Sequence, residues 1–183
     1  MNEEKKVRII LEDVLKNKDA AIVKYTKKFD HILLKPNQFR VTKDEIKEAV
    51  ERVDKEFISV LRLAIKNIYA YHEKQKTFYQ NENLSKGALA VLRALPIDSV
   101  GIYVPGGRAS YPSSVLMNAI PAKIALVNKI VMVSPPDKNG KINPNVLAAA
   151  AELQIDEIYK VGGAQGIAAL AYGTKYIPKV DKI

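Results

Sequence analysis

A chain of 183 residues with 48% hydrophobic and 27% charged residues has room for one ordinary domain or two small lobes, and its composition excludes an intrinsically disordered protein. Its formal charge of +9 is compatible with nucleic-acid binding, but lysines and acidic residues are mixed along the first half without an aromatic and basic platform, which favours a lysine-rich surface instead. Because the chain has no cysteine, disulfides, thiolate zinc sites and cysteine nucleophiles are excluded.

The sequence predicts neither a membrane segment nor a secretory signal. Residues 1–6 are charged and no apolar core follows them, while the longest apolar runs, such as 119–127, are interrupted by Pro and Lys. We therefore expect a cytoplasmic protein without a membrane partner. His31 and His72 are the only histidines and lie far apart, so we expect no metal site within this chain.

The first half of the chain has the apolar spacing of helices. Asp19 is a candidate N-cap between the first two, and Thr42–Glu45 has the pattern of a capping box. The predicted elements are helices over 5–18, 20–28, 43–52 and 55–73, with a short extended piece over 38–41 and a linker or exposed loop over 74–86. Residues 1–95 are thus expected to form a mainly helical region.

From residue 88 onwards the pattern changes to strand, turn and helix, repeated, with Pro96 at the start of a second lobe over 96–183. Strands are predicted over 88–95, 100–104, 129–134, 155–160 and 180–183. Helices are predicted from Ser110 or Ser113 to about 127 with a kink or division at Pro121, over 146–153 behind an Asn143 cap, and after Gln165 to about 172. Strands that alternate with helices of this length predict an α/β fold with a parallel sheet.

The last strand is predicted to begin just where the sequence stops. A parallel strand needs buried neighbours on both faces. We therefore expect this chain to be a fragment, an engineered lobe or one part of a split protein.

Three predicted strands end in turns that should meet at one edge of the sheet. These ends are Tyr103 with 105–107, Ser134 with 135–136, and 162–165 with Gln165. Ligands of open α/β sheets bind at this edge, where Tyr103 offers a flat face and a hydroxyl and Gln165 offers an amide. Two plainer interpretations stay open, because Tyr103 also suits a half-buried strand position and Gln165 also suits a cap of the turn.

No general acid–base pair is visible in the second lobe. Its acidic residues suit surface, turn or strand-edge positions; they are Asp98, Asp137, Asp156, Glu157 and Asp181. No Ser-His-Asp set and no Walker sequence is present. The residues alone therefore predict a nucleotide-binding type of α/β lobe without catalytic machinery.

Several stretches of the chain together form a recognisable set of motifs. They are Pro96–Gly107, Tyr111–Met117, Gly162–Gln165 and Val180–Ile183, with Tyr25–Asp30 in the helical region. This set of motifs resembles that of the histidinol dehydrogenase family. The resemblance runs almost the whole length of the chain, with the motifs in the family's order. The departures are Gly166, where the family mostly has alanine, and Leu126, where glycine is usual.

The resemblance implies an NAD-dependent, zinc-containing homodimer that oxidises L-histidinol to L-histidine, built on incomplete Rossmann-like domains. It implies that Tyr103 and Gln165 contact NAD. The family's third NAD contact, its zinc ligands and its Glu-His proton acceptors would follow Ile183, so no catalytic and no metal-binding residue is expected here. We therefore expect the isolated chain to be inactive and to associate with another copy or with a C-terminal half; the alternative is a non-catalytic nucleotide-binding or protein-interaction module.

Overall fold

The computed structural model describes residues 2–75, 79–85, 88–106 and 111–183. Its helices are α1 (Glu3–Phe29), α2 (Lys43–Arg52), α3 (Lys55–Glu73), α4 (Pro112–Ile124), α5 (Pro144–Glu152) and α6 (Gly163–Tyr172), with a 3₁₀ turn at Pro36–Gln38. Its strands are β1 (Tyr79–Ser85), β2 (Ala88–Arg93), β3 (Ser99–Tyr103), β4 (Lys129–Ser134) and β5 (Ile158–Lys160). Within those ranges, no helix combines the length and the apolar composition needed to cross a membrane.

The central sheet has the strand order β3-β4-β5, and both of its strand pairs are parallel. Single bridges extend it on either side, where Lys182 pairs in parallel with Val100 and Arg40 pairs antiparallel with Tyr159. The predicted strand over 180–183 and the extended piece over 38–41 therefore lie at the two edges of this sheet. This arrangement confirms the predicted α/β fold, a helical N-terminal region followed by a parallel sheet.

Helices cover both faces of the sheet. On one face, α1 and α6 enclose a core that includes Val14, Ile22, Val131 and Leu170. On the other face, α2 and α3 pack with α4 and α5 around a second core. The N-terminal helices thus form outer layers of the same sheet, and the division of the chain between residues 95 and 96 stays a prediction.

The predicted helix caps over 42–45 and at Asn143 are confirmed. The Thr42 hydroxyl accepts a hydrogen bond from the Glu45 N–H at 3.1 Å, and the Glu45 carboxylate accepts one from the Thr42 N–H at 2.8 Å. The Asn143 side chain accepts from the Asn145 N–H at 2.9 Å. Such caps satisfy N–H groups that have no partner within the helix.

The two predicted helices over 5–18 and 20–28 are joined into α1, which breaks at Lys18. Lys18 has φ 49° and ψ −125°, so the break lies within one residue. The prediction that Asp19 caps the second part was wrong. Its carboxylate accepts instead from the Lys175 N–H at 3.1 Å, a contact that local spacing cannot reveal.

Residues 74–86 were predicted as a linker or loop, and this was wrong for most of the segment. Residues 79–85 form β1, which pairs antiparallel with β2 in a separate two-stranded sheet. Tyr79 stands opposite Arg93, and the register is kept as far as Asn83 opposite Leu89. β1 is a strand because its backbone pairs with β2. Its polar composition gives no sequence signal of that pairing. The predicted strand over 88–95 ends earlier, at Arg93.

The boundaries of α4 and β5 also differ from the predictions. Tyr111 is the N-cap residue of α4 and Pro112 its first residue, so Ser113 lies inside the helix and does not cap it; Ser110 lies outside the described residues. The helix ends at Ile124 rather than near 127, and Pro121 is accommodated without dividing it. The strand predicted over 155–160 is shorter, because only Ile158–Lys160 pair with β4.

Leu126, just past the end of α4, is expected to be a site of strain. Its φ is 63°, in the left-handed region, and the residue is 65% exposed, so burial of its side chain offsets little of the strain. Glycine is the residue that this position after a helix favours. Leu126→Gly should raise the free energy of unfolding by about 1 kcal/mol, measured by urea denaturation.

Leu126→Ala is the control, since it removes the exposed side chain but keeps the β-carbon. Equal stabilities of the glycine and alanine variants would show that the backbone at this position is not strained.

Candidate functional site

The carboxyl ends of β3, β4 and β5 meet at one edge of the sheet, as predicted. Tyr103 at the end of β3 pairs with Val133 of β4, and Ser134 at the end of β4 pairs with Lys160 of β5. The turns after these strands therefore project from the same edge. Of the residues predicted there, Gly107 lies outside the described part of the chain.

Tyr103 and Gln165 both contact the first residue of α6. The Tyr103 hydroxyl accepts a hydrogen bond from the Gly163 N–H at 3.2 Å. The Gln165 side chain folds back over Gly163, so that a β-carbon placed there would lie 2.7 Å from Gln165 Oε1. Gly163 has φ 59°, a second reason why this position favours glycine. We call Tyr103, Gly163 and Gln165 the cradle.

The amide oxygen of Gln165 is a buried hydrogen-bond acceptor without a partner in the described structure. The residue is only 1% exposed, and Oε1 receives no hydrogen bond from any described residue. Leaving such a group unpaired costs about 1–3 kcal/mol. An N–H or O–H donor on a ligand would satisfy it.

Pro135 lies between the turns that follow β3 and β5 and packs against both. A β-carbon on Gly106 would lie 2.8 Å from Pro135 Cγ, and one on Gly162 would lie 2.4 Å from Pro135 Cβ. Both distances are shorter than real carbon contacts allow. The absence of side chains at these two glycines therefore lets the turns at the carboxyl edge pack together.

A partly buried ion pair, which the sequence analysis missed, joins the carboxyl end of β5 to α2. Lys160 is 6% exposed, and its ammonium lies 2.9 Å and 3.2 Å from the two carboxylate oxygens of Glu45. Burial alone would raise the pKa of Glu45, but hydrogen bonds from the Thr42 N–H and from Lys160 hold it below its ordinary value. A lysine among the apolar residues 158–161 was the signal that could have predicted such a pair.

A pocket of about 230 Å³ opens beside the cradle. Gly106, Ser134 and Pro135 line it, together with charged residues that include Asp137 and Lys141. Neither Tyr103 nor Gln165 lines it. Its volume is below the roughly 300–1,000 Å³ typical of small-molecule pockets.

Two acidic residues of the second lobe, Asp137 and Asp181, hold local backbone structure. Asp137 accepts backbone hydrogen bonds from Asn139 and Lys141 within its own turn, and Asp181 accepts from both the N–H and the hydroxyl of Ser99. In the part of the chain that the structure covers, no group of three or more His, Asp or Glu side chains could hold a metal ion.

Comparisons with known proteins agree on one family. The family model for histidinol dehydrogenase matches residues 1–183. The histidinol dehydrogenase of Bacillus cereus is 53% identical over 180 residues, and that of Caldanaerobacter subterraneus subsp. tengcongensis is 55% identical over 182. Each match covers 98% of this chain and 41% of the relative.

A solved structure shows the same fold. The crystal structure of histidinol dehydrogenase from Elizabethkingia anophelis matches with a TM-score of 0.94 and 40% sequence identity, over 100% of this chain and 42% of that one. The chain thus spans about two fifths of the length of the relatives that it matches. Because the family model covers every residue, the chain belongs to the histidinol dehydrogenase family.

Proposed function

We propose that this chain supplies the NAD-binding part of a histidinol dehydrogenase, which oxidises L-histidinol to L-histidine in two NAD-dependent steps at the end of histidine biosynthesis. The observation that carries the proposal is the cradle, in which Tyr103 and Gln165 both contact Gly163 at the carboxyl edge of the parallel sheet. Ligands of open α/β sheets bind at this edge.

The groups of the cradle fit a nicotinamide dinucleotide. Gln165 Oε1 is a buried acceptor that no described residue satisfies, and NAD carries ribose hydroxyls and amide and amino N–H groups that can donate to it. The Tyr103 ring can lie against a base or a ribose. When bound, NAD supplies the hydride acceptor for the oxidation of an alcohol. The role of Tyr103 and Gln165 is to bind and orient it.

A zinc site does not fit the described residues. The resemblance implies zinc in the complete family enzyme, yet no described cluster of carboxylates and histidines could hold it. The proposed role of this chain is therefore cofactor binding, with the zinc ligands and proton acceptors in a further part of the polypeptide or in a second chain.

A second candidate is a non-catalytic nucleotide-binding or protein-interaction module derived from this enzyme. It is favoured by the outer face of α3, where Val60 and Leu63 are each 59% exposed. Another copy of the chain or a C-terminal half of the enzyme are the partners we consider for this face. In either case we place the protein in the cytoplasm, with no nucleic-acid and no membrane partner.

The experiment is a complementation assay that follows NADH formation from histidinol in the presence of zinc. The chain alone is expected to give no turnover, because no described group of side chains could hold zinc and because the resemblance places the proton acceptors after Ile183. Adding a separately purified C-terminal half of the Bacillus cereus enzyme should restore turnover. Zinc-dependent turnover by the chain alone would contradict the proposal, and no rescue by the added half would favour the non-catalytic module.

A further inference from the structure

Lys18 holds a backbone conformation that lysine rarely adopts. It interrupts α1 with φ 49° and ψ −125°, close to the first central residue of a type II′ turn, a position that glycine dominates. A side chain in this region is strained, and such strain persists only where the surrounding contacts maintain it. The side-chain contacts of Lys18 are therefore the place to look for the reason that its backbone stays strained.

Those contacts lie at the C-terminal end of α6, 154 and 155 residues further along the chain. The Lys18 ammonium lies 3.4 Å from the carbonyl oxygen of Tyr172 and 3.2 Å from that of Gly173. The last carbonyl groups of a helix lack partners within it and carry a partial negative charge. The break in α1 thus brings a cation to the carbonyl end of α6, and the neighbouring Asp19 binds the Lys175 N–H.

The opposite end of the same helix carries the cradle. Gly163, the first residue of α6, donates its N–H to the Tyr103 hydroxyl, and Gln165 lies in the first turn. A helix of 10 residues is about 15 Å long and does not bend appreciably. A contact that fixes the last carbonyl groups of α6 therefore also fixes the position of its first turn, and so of Gln165, relative to the sheet.

We propose that Lys18 is a positioning residue for the cradle, which acts through α6 to keep Gln165 Oε1 buried and aimed at the ligand. The proposal rests on the proposed function, because it takes NAD as that ligand. Lys18 itself does not contact the cofactor. The strain at residue 18 is thus explained as the cost of placing its ammonium at the end of the helix that binds NAD.

The test compares three substitutions at position 18 by thermal unfolding and by NAD⁺ titration followed by NMR. Lys18→Gly relieves the backbone strain and removes the ammonium, Lys18→Met removes only the ammonium, and Lys18→Arg keeps a cation. We expect Lys18→Gly to melt at or above the temperature of the unaltered chain and yet to bind NAD⁺ roughly threefold to tenfold more weakly. Lys18→Arg should bind within about twofold of the unaltered chain. Lys16→Met, at an exposed lysine of the same helix, is the control and should change neither quantity.

A double-mutant cycle separates positioning from a general loss of structure. If Lys18 acts through Gln165, Lys18→Gly should have no further effect on NAD⁺ affinity in a Gln165→Met background. A Lys18→Gly variant that binds NAD⁺ as well as the unaltered chain would overturn the proposal. So would an equal loss of affinity in both backgrounds.

The NMR spectra also distinguish failure of this inference from failure of the proposed function. If the unaltered chain does not bind NAD⁺, the proposed function fails for this chain. The inference is then decided by the side-chain amide resonances of Gln165, which should shift in Lys18→Gly and stay in place in Lys16→Met. Unshifted Gln165 resonances in Lys18→Gly would overturn the positioning role whether or not NAD⁺ binds.

Discussion

Gly162→Ala is expected to lower the free energy of unfolding by about 3 kcal/mol, at the upper end of the cost of overpacking a core. The added β-carbon would lie 2.4 Å from Pro135 Cβ and 3.0 Å from Pro135 Cα. Carbon atoms that are not bonded prefer separations of about 3.5–4.0 Å. Pro135 cannot rotate away, because its ring is closed on its own backbone and packs against Gly106 on the other side.

The cost at Gly162 is steric and does not arise from its own backbone. Gly162 has φ −113° and ψ −168°, an extended conformation that alanine adopts without strain. The clash can be relieved only by moving the turn that follows β5 away from the end of β4. That movement would carry the start of α6 with it, so Gly162→Ala should also weaken NAD binding.

Gly166→Ala is the matched control, a second glycine-to-alanine change four residues away. Its β-carbon would lie 3.2 Å from the Val161 carbonyl oxygen, a tight contact but one that a small shift can relieve. Alanine is also better than glycine inside a helix by about 1 kcal/mol. We expect stability within about 1 kcal/mol of the unaltered chain, measured by urea denaturation. Equal stabilities of the two variants would show that Pro135 does not pack against Gly162 as closely as the structure indicates.

Features set by neighbouring residues could be predicted from the sequence. Thr42 and Glu45 are three residues apart, and this local spacing is enough to predict their capping box. The same holds for Asn143, which comes directly before Pro144 and a run of helix-forming residues. The position of Tyr103 and Gln165 at one edge followed from strand direction alone, since parallel strands end at the same side of a sheet.

Features set by distant contacts could not be predicted in this way. The ammonium of Lys160 binds a carboxylate 115 residues earlier in the chain, and Lys18 reaches carbonyl groups more than 150 residues later. Neither pairing has a local signature, because helix period and capping describe only the nearest few residues. The same limit explains why β1 was predicted as a loop, since its polar composition gives no sign of the strand beside it.

Replacing Gln165 by methionine is expected to separate binding from stability. Methionine has a similar length and removes a buried amide oxygen that has no partner among the described residues. Because an unpaired buried polar group costs about 1–3 kcal/mol, the variant should be at least as stable as the unaltered chain. The same change removes the acceptor that we propose for NAD, so its dissociation constant should rise roughly tenfold.

Gln165 is identified as a binding residue if its replacement by methionine weakens NAD binding without lowering the free energy of unfolding. A residue that serves only to cap its turn would lose stability on replacement by methionine and would leave NAD affinity unchanged. Gln154→Met is the control, an exposed glutamine after α5 that lies at the amino end of the sheet. Isothermal titration with NAD⁺ and urea denaturation of both variants give the two quantities. Reduced stability of Gln165→Met together with unchanged NAD affinity would leave Gln165 as a structural residue, and the cradle would then lose its proposed ligand.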